Sequence, residues 1–126
     1  MRETLSTIQK RNKPNDVYAL GEKGHGSAYH KYAVAAVVPK DASFNIKRIA
    51  EITFQCGPRS DPDSTHGVLD VDLLEIVRHR LQCFQAGPYA CRENALALTH
   101  IEEALLWLNK RVEDRAERGV LGTSEK

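Results

Sequence analysis

Four residues gather around one Gly-Pro turn in this chain: Phe84 just before it, then Tyr89, Arg92 and Asn94 after it. Their types suit a nucleotide. An arginine beside the free backbone N–H groups that open a helix suits phosphate. An asparagine amide bonds a base edge or a ribose hydroxyl, and flanking aromatic rings stack on bases. Each also has an ordinary structural role: Phe84 fits an apolar core stripe, Asn94 an end-of-helix polar position, and Arg92 an exposed surface. Arg59 and His66, in the Pro- and Gly-rich loop CGPRSDPDSTHGV at positions 56–68, are the other polar side chains able to reach a ligand.

Bond-breaking chemistry finds less support. The sequence has no serine elbow. The glycine cluster at positions 21–26 has no Lys-Ser/Thr after its last glycine, and no strand and helix frame it, so it is not a phosphate loop. His25 and His30, with Asp16 and Glu22, sit in a stretch with no frame to fix their spacing. Glu75 with His79 and His100 with Glu103 have helical spacing but lack a third ligand. Glu102-Glu103 and Glu113-Asp114 are neighbours that point apart. They read as a solvated face, with Lys110–Asp114 and Asp114–Arg118 paired at i,i+4. No catalytic residue, metal or cofactor is expected.

The elements that must position the turn are two helices. Leu98, Ile101, Leu105, Leu108 and Val112 recur at steps of three and four, which places them on one helical side. A helix over residues 92–118 runs roughly 40 Å, too long for so small a domain to cover. Part of its stripe is therefore expected to meet another subunit. The preceding helix is expected to start near Asp70 as N-cap, with Asp72 in its first turn and Leu74, Val77, Leu81 and Phe84 buried. Gly87 fits the position after its C-cap, and Pro88 blocks continuation. The second helix should end at Gly119, with residues 121–126 frayed.

Upstream, YAVAAVV at positions 32–38 and the stretch 44–55 with Ile46, Ile49, Ile52 and Phe54 predict two antiparallel strands. A turn at 39–43 should join them, and the alternation slips near Lys47-Arg48, where a bulge is expected. Residues 1–29 read as a polar, irregular arm broken by Lys13-Pro14 and the glycine cluster. The expected class is α+β: a small N-terminal antiparallel β-hairpin or sheet, then a two-helix antiparallel hairpin, assembling as an oligomer. The domain plan is an arm at 1–29 and a single domain at 30–126, comprising strands to 56, a loop at 57–69 and the helical hairpin at 70–119.

Bulk properties narrow the class. The 126 residues are 41% hydrophobic and 28% charged, an ordinary globular composition for one domain. Eighteen basic against seventeen acidic side chains, net +1, argue against a nucleic-acid polymer or a basic membrane surface as partner. No apolar run is long enough to span a bilayer and the N-terminus lacks a signal segment, so a cytoplasmic location is expected. Cys56, Cys83 and Cys91 form no C-x-x-C pair and read as reduced thiols. Cys91, beside the second helix's start, reads as a small packed residue in preference to an activated thiol.

The segment FQCGP, a helix, then FQAGPYACRENALALTHIEEALLWLNKRVEDRAERGV resembles the hairpin of phage anti-defence nucleotide sponges, a family of first-type Thoeris anti-defence proteins and shorter anti-CBASS proteins. The likeness runs from about position 53 to 122 and is most specific over ALTHIEEALLWLNKR; the upstream HKY and strand order match the Thoeris type. The resemblance implies non-covalent sequestration of intact cyclic nucleotide signals, glycocyclic ADP-ribose or cyclic oligonucleotides, by dimers or by hexamers built as trimers of dimers. It places the family's stacking aromatic on Phe84, its early-helix amide on Asn94 and its late-helix arginine on Arg111. Gly57 and Arg59 of the GPR loop are carried over with them, and Arg92 is assigned to oligonucleotide phosphates.

Asn94 and Arg111 lie seventeen positions apart, roughly 25 Å along one helix. One small ligand cannot touch both in one chain. Two subunits with antiparallel long helices would bring Asn94 of one near Arg111 of the other, twice, about a two-fold axis. The alternative reading is a small helical protein–protein interaction or regulatory protein.

Overall fold

The computed structural model describes residues 2–37 and 48–123. Within them the chain divides into two compact units, Met1–Gly57 with Asp63–Gly67, and Pro58–Pro62 with Val68–Lys126. The first is a four-stranded antiparallel sheet and the second a two-helix hairpin.

The sheet is built in chain order from β1 (Arg2–Thr4), β2 (Asn15–Leu20), β3 (Lys31–Ala36) and β4 (Arg48–Thr53), each paired with its sequence neighbour. Residues 1–29, expected to be irregular, thus supply two of the four strands. Pro14 and Gly21 (φ +75°) punctuate the ends of β2 rather than marking disorder. β1 is a three-residue, wholly exposed edge strand, and edges tolerate charge. Arg2 lies over the Tyr18 ring at 4.6 Å, and the Tyr29 hydroxyl donates to Glu3 at 2.9 Å, so both charges of β1 are engaged. That bond holds the Tyr29 phenol above its ordinary range.

β3 and β4 pair as expected, with the slip at Ile49: Val34 opposes Ala50 while Ala35 opposes Arg48, leaving Ile49 over. This is one position beyond Arg48. The expected turn at 39–43, and Val38, Phe44, Ile46 and Lys47, lie outside the described residues. The tightly buried centre of the sheet is small: Tyr18, Ala19, Ala33 and Ala35. Tyr32 meets Phe54 edge-on at 5.6 Å.

After β4 the chain is folded back by Gln55. Its amide donates to the Gly57 carbonyl at 3.1 Å and accepts from the Gly67 N–H at 3.1 Å, while Cys56 and Thr65 form an isolated bridge. Gly67 lies so close to the β4 exit that an added Cβ would fall 2.3 Å from the Thr53 carbonyl oxygen and 2.7 Å from the Phe54 carbonyl carbon. Backbone cannot yield as a flexible side chain does. Gly67→Ala should cost about 3 kcal/mol, read as a lowered melting temperature, whereas Gly21→Ala, with open space around it, should cost only its left-handed strain.

In the second unit, α1 (Asp70–Gln85) and α2 (Arg92–Glu117) are antiparallel across a short turn. Asp70 is the first residue of α1 rather than its cap. Leu69 occupies the cap, and the Asp72 carboxylate reaches back to accept the Leu69 N–H at 2.8 Å, so the acid three residues on does the capping work. At the far end Arg118 caps α2 and Gly119 turns left-handed at φ +71°. Residues 121–123, expected to fray, are instead held: Arg115 donates to the carbonyls of Val120 and Thr123. Residues 124–126 lie outside the described part.

The apolar stripe faces α1 only partly covered. Leu98, Ile101, Leu105 and Leu108 are half-buried, but Val77 (43%), expected inside, is exposed, as is Val112 (38%) on the stripe of which part was expected to meet another subunit. Two helices form a single seam, and a seam alone encloses little.

Candidate functional site

The closed end of the helical hairpin is tightly specified. Ala86 caps α1 with its N–H on the Gln82 carbonyl, and the Gly87 N–H bonds Phe84. The Gln85 amide then clasps Cys91 from both sides, donating to its carbonyl and accepting its N–H, each at 3.1 Å. Cys91 is itself the N-cap of α2: its sulfur accepts the Asn94 N–H at 3.4 Å and its carbonyl the Ala95 N–H at 3.1 Å. The N–H groups of Arg92 and Glu93, in the first two helical positions, have no intrahelical acceptor.

This frame brings Phe84, Tyr89, Arg92 and Asn94 to one end. Phe84 and Tyr89 meet edge-on with centroids 6.2 Å apart and planes at 65°. Tyr89 is 73% exposed, while Phe84 and Asn94 are half-buried. Two members were not visible in the sequence. Arg80 sets its guanidinium carbon 5.1 Å from the Phe84 ring centroid, and Gln85 locks the turn. The signal for Arg80 was its place one helical turn before an aromatic residue; Gln85 offers no comparable pattern.

The other candidate residues lie elsewhere. Arg111 is exposed on α2, more than four turns beyond Asn94. Arg59 belongs to the helical unit through the segment Pro58–Pro62, whereas Gly57 (φ +86°) and His66 belong to the sheet unit. Within one chain, Asn94 and Arg111 stand seventeen positions apart on the same helix and do not meet.

The hairpin also carries an open groove of about 630 Å³ along the α1–α2 seam, away from the turn. Arg78 crosses it, held by Glu102 at 2.8 Å and by Glu75 at 3.2 Å. The hydrogen bond it donates to Glu102, then that to Glu75, raises the guanidinium's pKa further. Glu75 is thus engaged with Arg78, while His79 faces Cys83 at 4.0 Å and His100 faces Glu103 at 3.7 Å. Among the described residues no three metal-ligating side chains cluster, and no helix is long and apolar enough to cross a membrane.

The family model for the Acb2/Tad1 hairpin domain matches residues 47–113, which span β4, the Gln55-pinned loop and the hairpin as far as Glu113. Thoeris anti-defense 1 of Bacillus phage SBSphiJ7 is 49% identical over 79 residues, 63% of this chain and 55% of that protein. The match thus spans about half the length of that relative. With more than half of its residues inside the family model, and the turn cluster among them, the chain belongs to the Acb2/Tad1 hairpin-domain family.

Proposed function

We propose that this chain is a phage anti-defence protein that binds and sequesters cyclic nucleotide immune signals without cleaving them, glycocyclic ADP-ribose or cyclic oligonucleotides, in the cytoplasm of the infected host. The observation that carries the reading is the turn cluster. An aromatic pair, two guanidiniums and the open N-terminus of a helix converge at the closed end of the hairpin, inside the family-matched segment. Such a set offers a stacking surface for a base and charge for a pyrophosphate. Sequestration is stoichiometric, so affinity and slow release matter, and a preformed frame such as the Gln85–Cys91 clasp lowers the ordering cost of binding.

The working unit is a homo-oligomer. Leu106 and Trp107 are each 70% exposed, and the α2 stripe is incompletely covered in one chain, a surface that a second hairpin would bury. Antiparallel pairing of two α2 helices sets Arg111 of one subunit toward the Asn94 end of the other. Phe84 stacks on the base, Asn94 orients it, and Arg111 and Arg59 neutralise the pyrophosphate, with Gly57, Tyr89, Arg92 and His66 as further contacts. Arg111 has no carboxylate partner among the described residues, so its charge is available. Arg111→Ala should weaken binding roughly tenfold with the helical circular dichroism unchanged. Equal affinity in a calorimetric titration counts against the shared site.

A release assay tests the function. The protein is mixed with glycocyclic ADP-ribose or a cyclic trinucleotide, filtered, and the retained fraction denatured. Intact ligand missing from the filtrate and recovered on denaturation is the expected result. Altered ligand reveals an enzyme. Ligand left in the filtrate overturns sequestration and returns the exposed Leu106 and Trp107 to a protein–protein interaction role.

A further inference from the structure

The basic side chains of the helical hairpin divide by their partners. Arg78 is held by two carboxylates, Lys110 by Asp114, and Arg115 by backbone carbonyls. Arg80 has no ion pair or hydrogen bond among the described residues; its single polar contact is with the π-face of Phe84. Helix geometry creates that contact. Residues four apart share a face, and a helical side chain leans toward the N-terminal turn, so the Phe84 ring lies back over Arg80. Arg78, two residues earlier and about 200° around the helix, faces the groove instead.

We infer that Arg80 is a ligand-positioning residue of the turn site: seated on one face of Phe84, it directs the base to the opposite face and holds the adjoining phosphate. A stacked guanidinium keeps its N–H groups in its own plane, pointing past the rim of the ring, where they remain free to fork onto phosphate oxygens. Lysine keeps the charge but not the planar fork. The inference rests on the reading of Phe84 as the base-stacking residue.

The test compares the unchanged protein with Arg80→Gln, Arg80→Lys and Phe84→Leu. The probe is glycocyclic ADP-ribose or the cyclic trinucleotide, whichever the unchanged protein retains, titrated at several salt concentrations. Arg80→Gln should bind roughly tenfold more weakly and with a shallower dependence of affinity on salt, because one phosphate contact is gone. Arg80→Lys should restore the salt dependence without the full affinity. Arg80 is exposed, so the thermal melt should not move, and a purely structural role would not alter the salt slope. Wild-type affinity and slope in Arg80→Gln, with binding lost in Phe84→Leu, overturns the role of Arg80 and leaves the stacking site standing. Wild-type binding in both variants removes the turn site itself. Retention of neither probe by the unchanged protein removes the sequestration reading, and the inference with it.

Discussion

Phe84→Ala should reduce affinity for the sequestered nucleotide more than a hundredfold, the largest functional effect of any single change in the hairpin. Losing a base–aromatic stack costs about 1–3 kcal/mol. Phe84 is also the seat of Arg80 and the partner of Tyr89, so its removal loosens three elements of the site together. About 2.8 kcal/mol is a hundredfold change in affinity, and stacking plus the lost seat exceeds that. The ring is half-buried, so alanine also opens space at the end of α1. Phe84→Leu separates the causes: it fills most of the volume and keeps the helix end, but offers no π-face. Titration calorimetry should show leucine nearly as weak as alanine, with a melting temperature near that of the unchanged protein. Binding that survives in leucine and fails in alanine would assign Phe84 to packing and relocate the base.

The hairpin was legible in the sequence because its signals are long and redundant. Five apolar residues at three–four spacing and a Gly-Pro break leave little freedom in where the helices lie, and α1 and α2 fall within two residues of the expected bounds. The first half was less legible for a physical reason. β2 is six residues between punctuating Pro14 and Gly21, and β1 is three charged or polar residues on an edge. β1 is too short to carry a period, β2 opens on the polar pair Asn15-Asp16, and the existence of both is settled by pairing partners distant in sequence. Asp70 and Asp72 show the limit at finer scale. Both are good capping residues, and only the path of the backbone at Leu69 decides that Asp72 accepts its N–H.

The same division runs through the site. Phe84, Tyr89, Arg92 and Asn94 were readable because they crowd one turn, and the fold brings them to one end. Arg80 was not, since an arginine on a helix face is ordinarily solvated or paired; what distinguishes it is the absence of a carboxylate among the described residues and the ring beneath it. Val77 was misplaced by a period argument that is sound for a helix with a full core behind it. In a two-helix unit there is no third layer, so the outer residues of the stripe remain exposed. The second hairpin proposed above would answer both that exposure and the distance between Asn94 and Arg111, covering the stripe and bringing the arginine to the amide.

Arg115→Met should lower the melting temperature by on the order of 10 °C and free the chain beyond α2. Arg115 is 6% exposed, the one buried residue among the described residues of the two helices. Its Nη2 donates to the Val120 carbonyl at 2.9 Å and the Thr123 carbonyl at 3.0 Å, so one guanidinium gathers the turn that Gly119 begins. Hydrogen bonds to a charged group are worth about 1.5–3 kcal/mol each. Methionine keeps an unbranched apolar stem of similar reach and removes only the donors, so the loss reports the clamp rather than a cavity. Carbonyls 120 and 123 would then turn outward to water, and amide exchange at residues 119–123 should rise toward that of an unprotected chain while exchange along the middle of α2 changes little. The comparison must hold protein concentration fixed, because assembly adds to apparent stability. An unchanged melt with unchanged exchange would mean that the turn holds itself, through the Thr123 N–H and hydroxyl bonds to the Val120 carbonyl, the Val120 N–H bond to the Arg115 carbonyl and the left-handed glycine. The buried charge would then be a passenger of the helix end and not its lock.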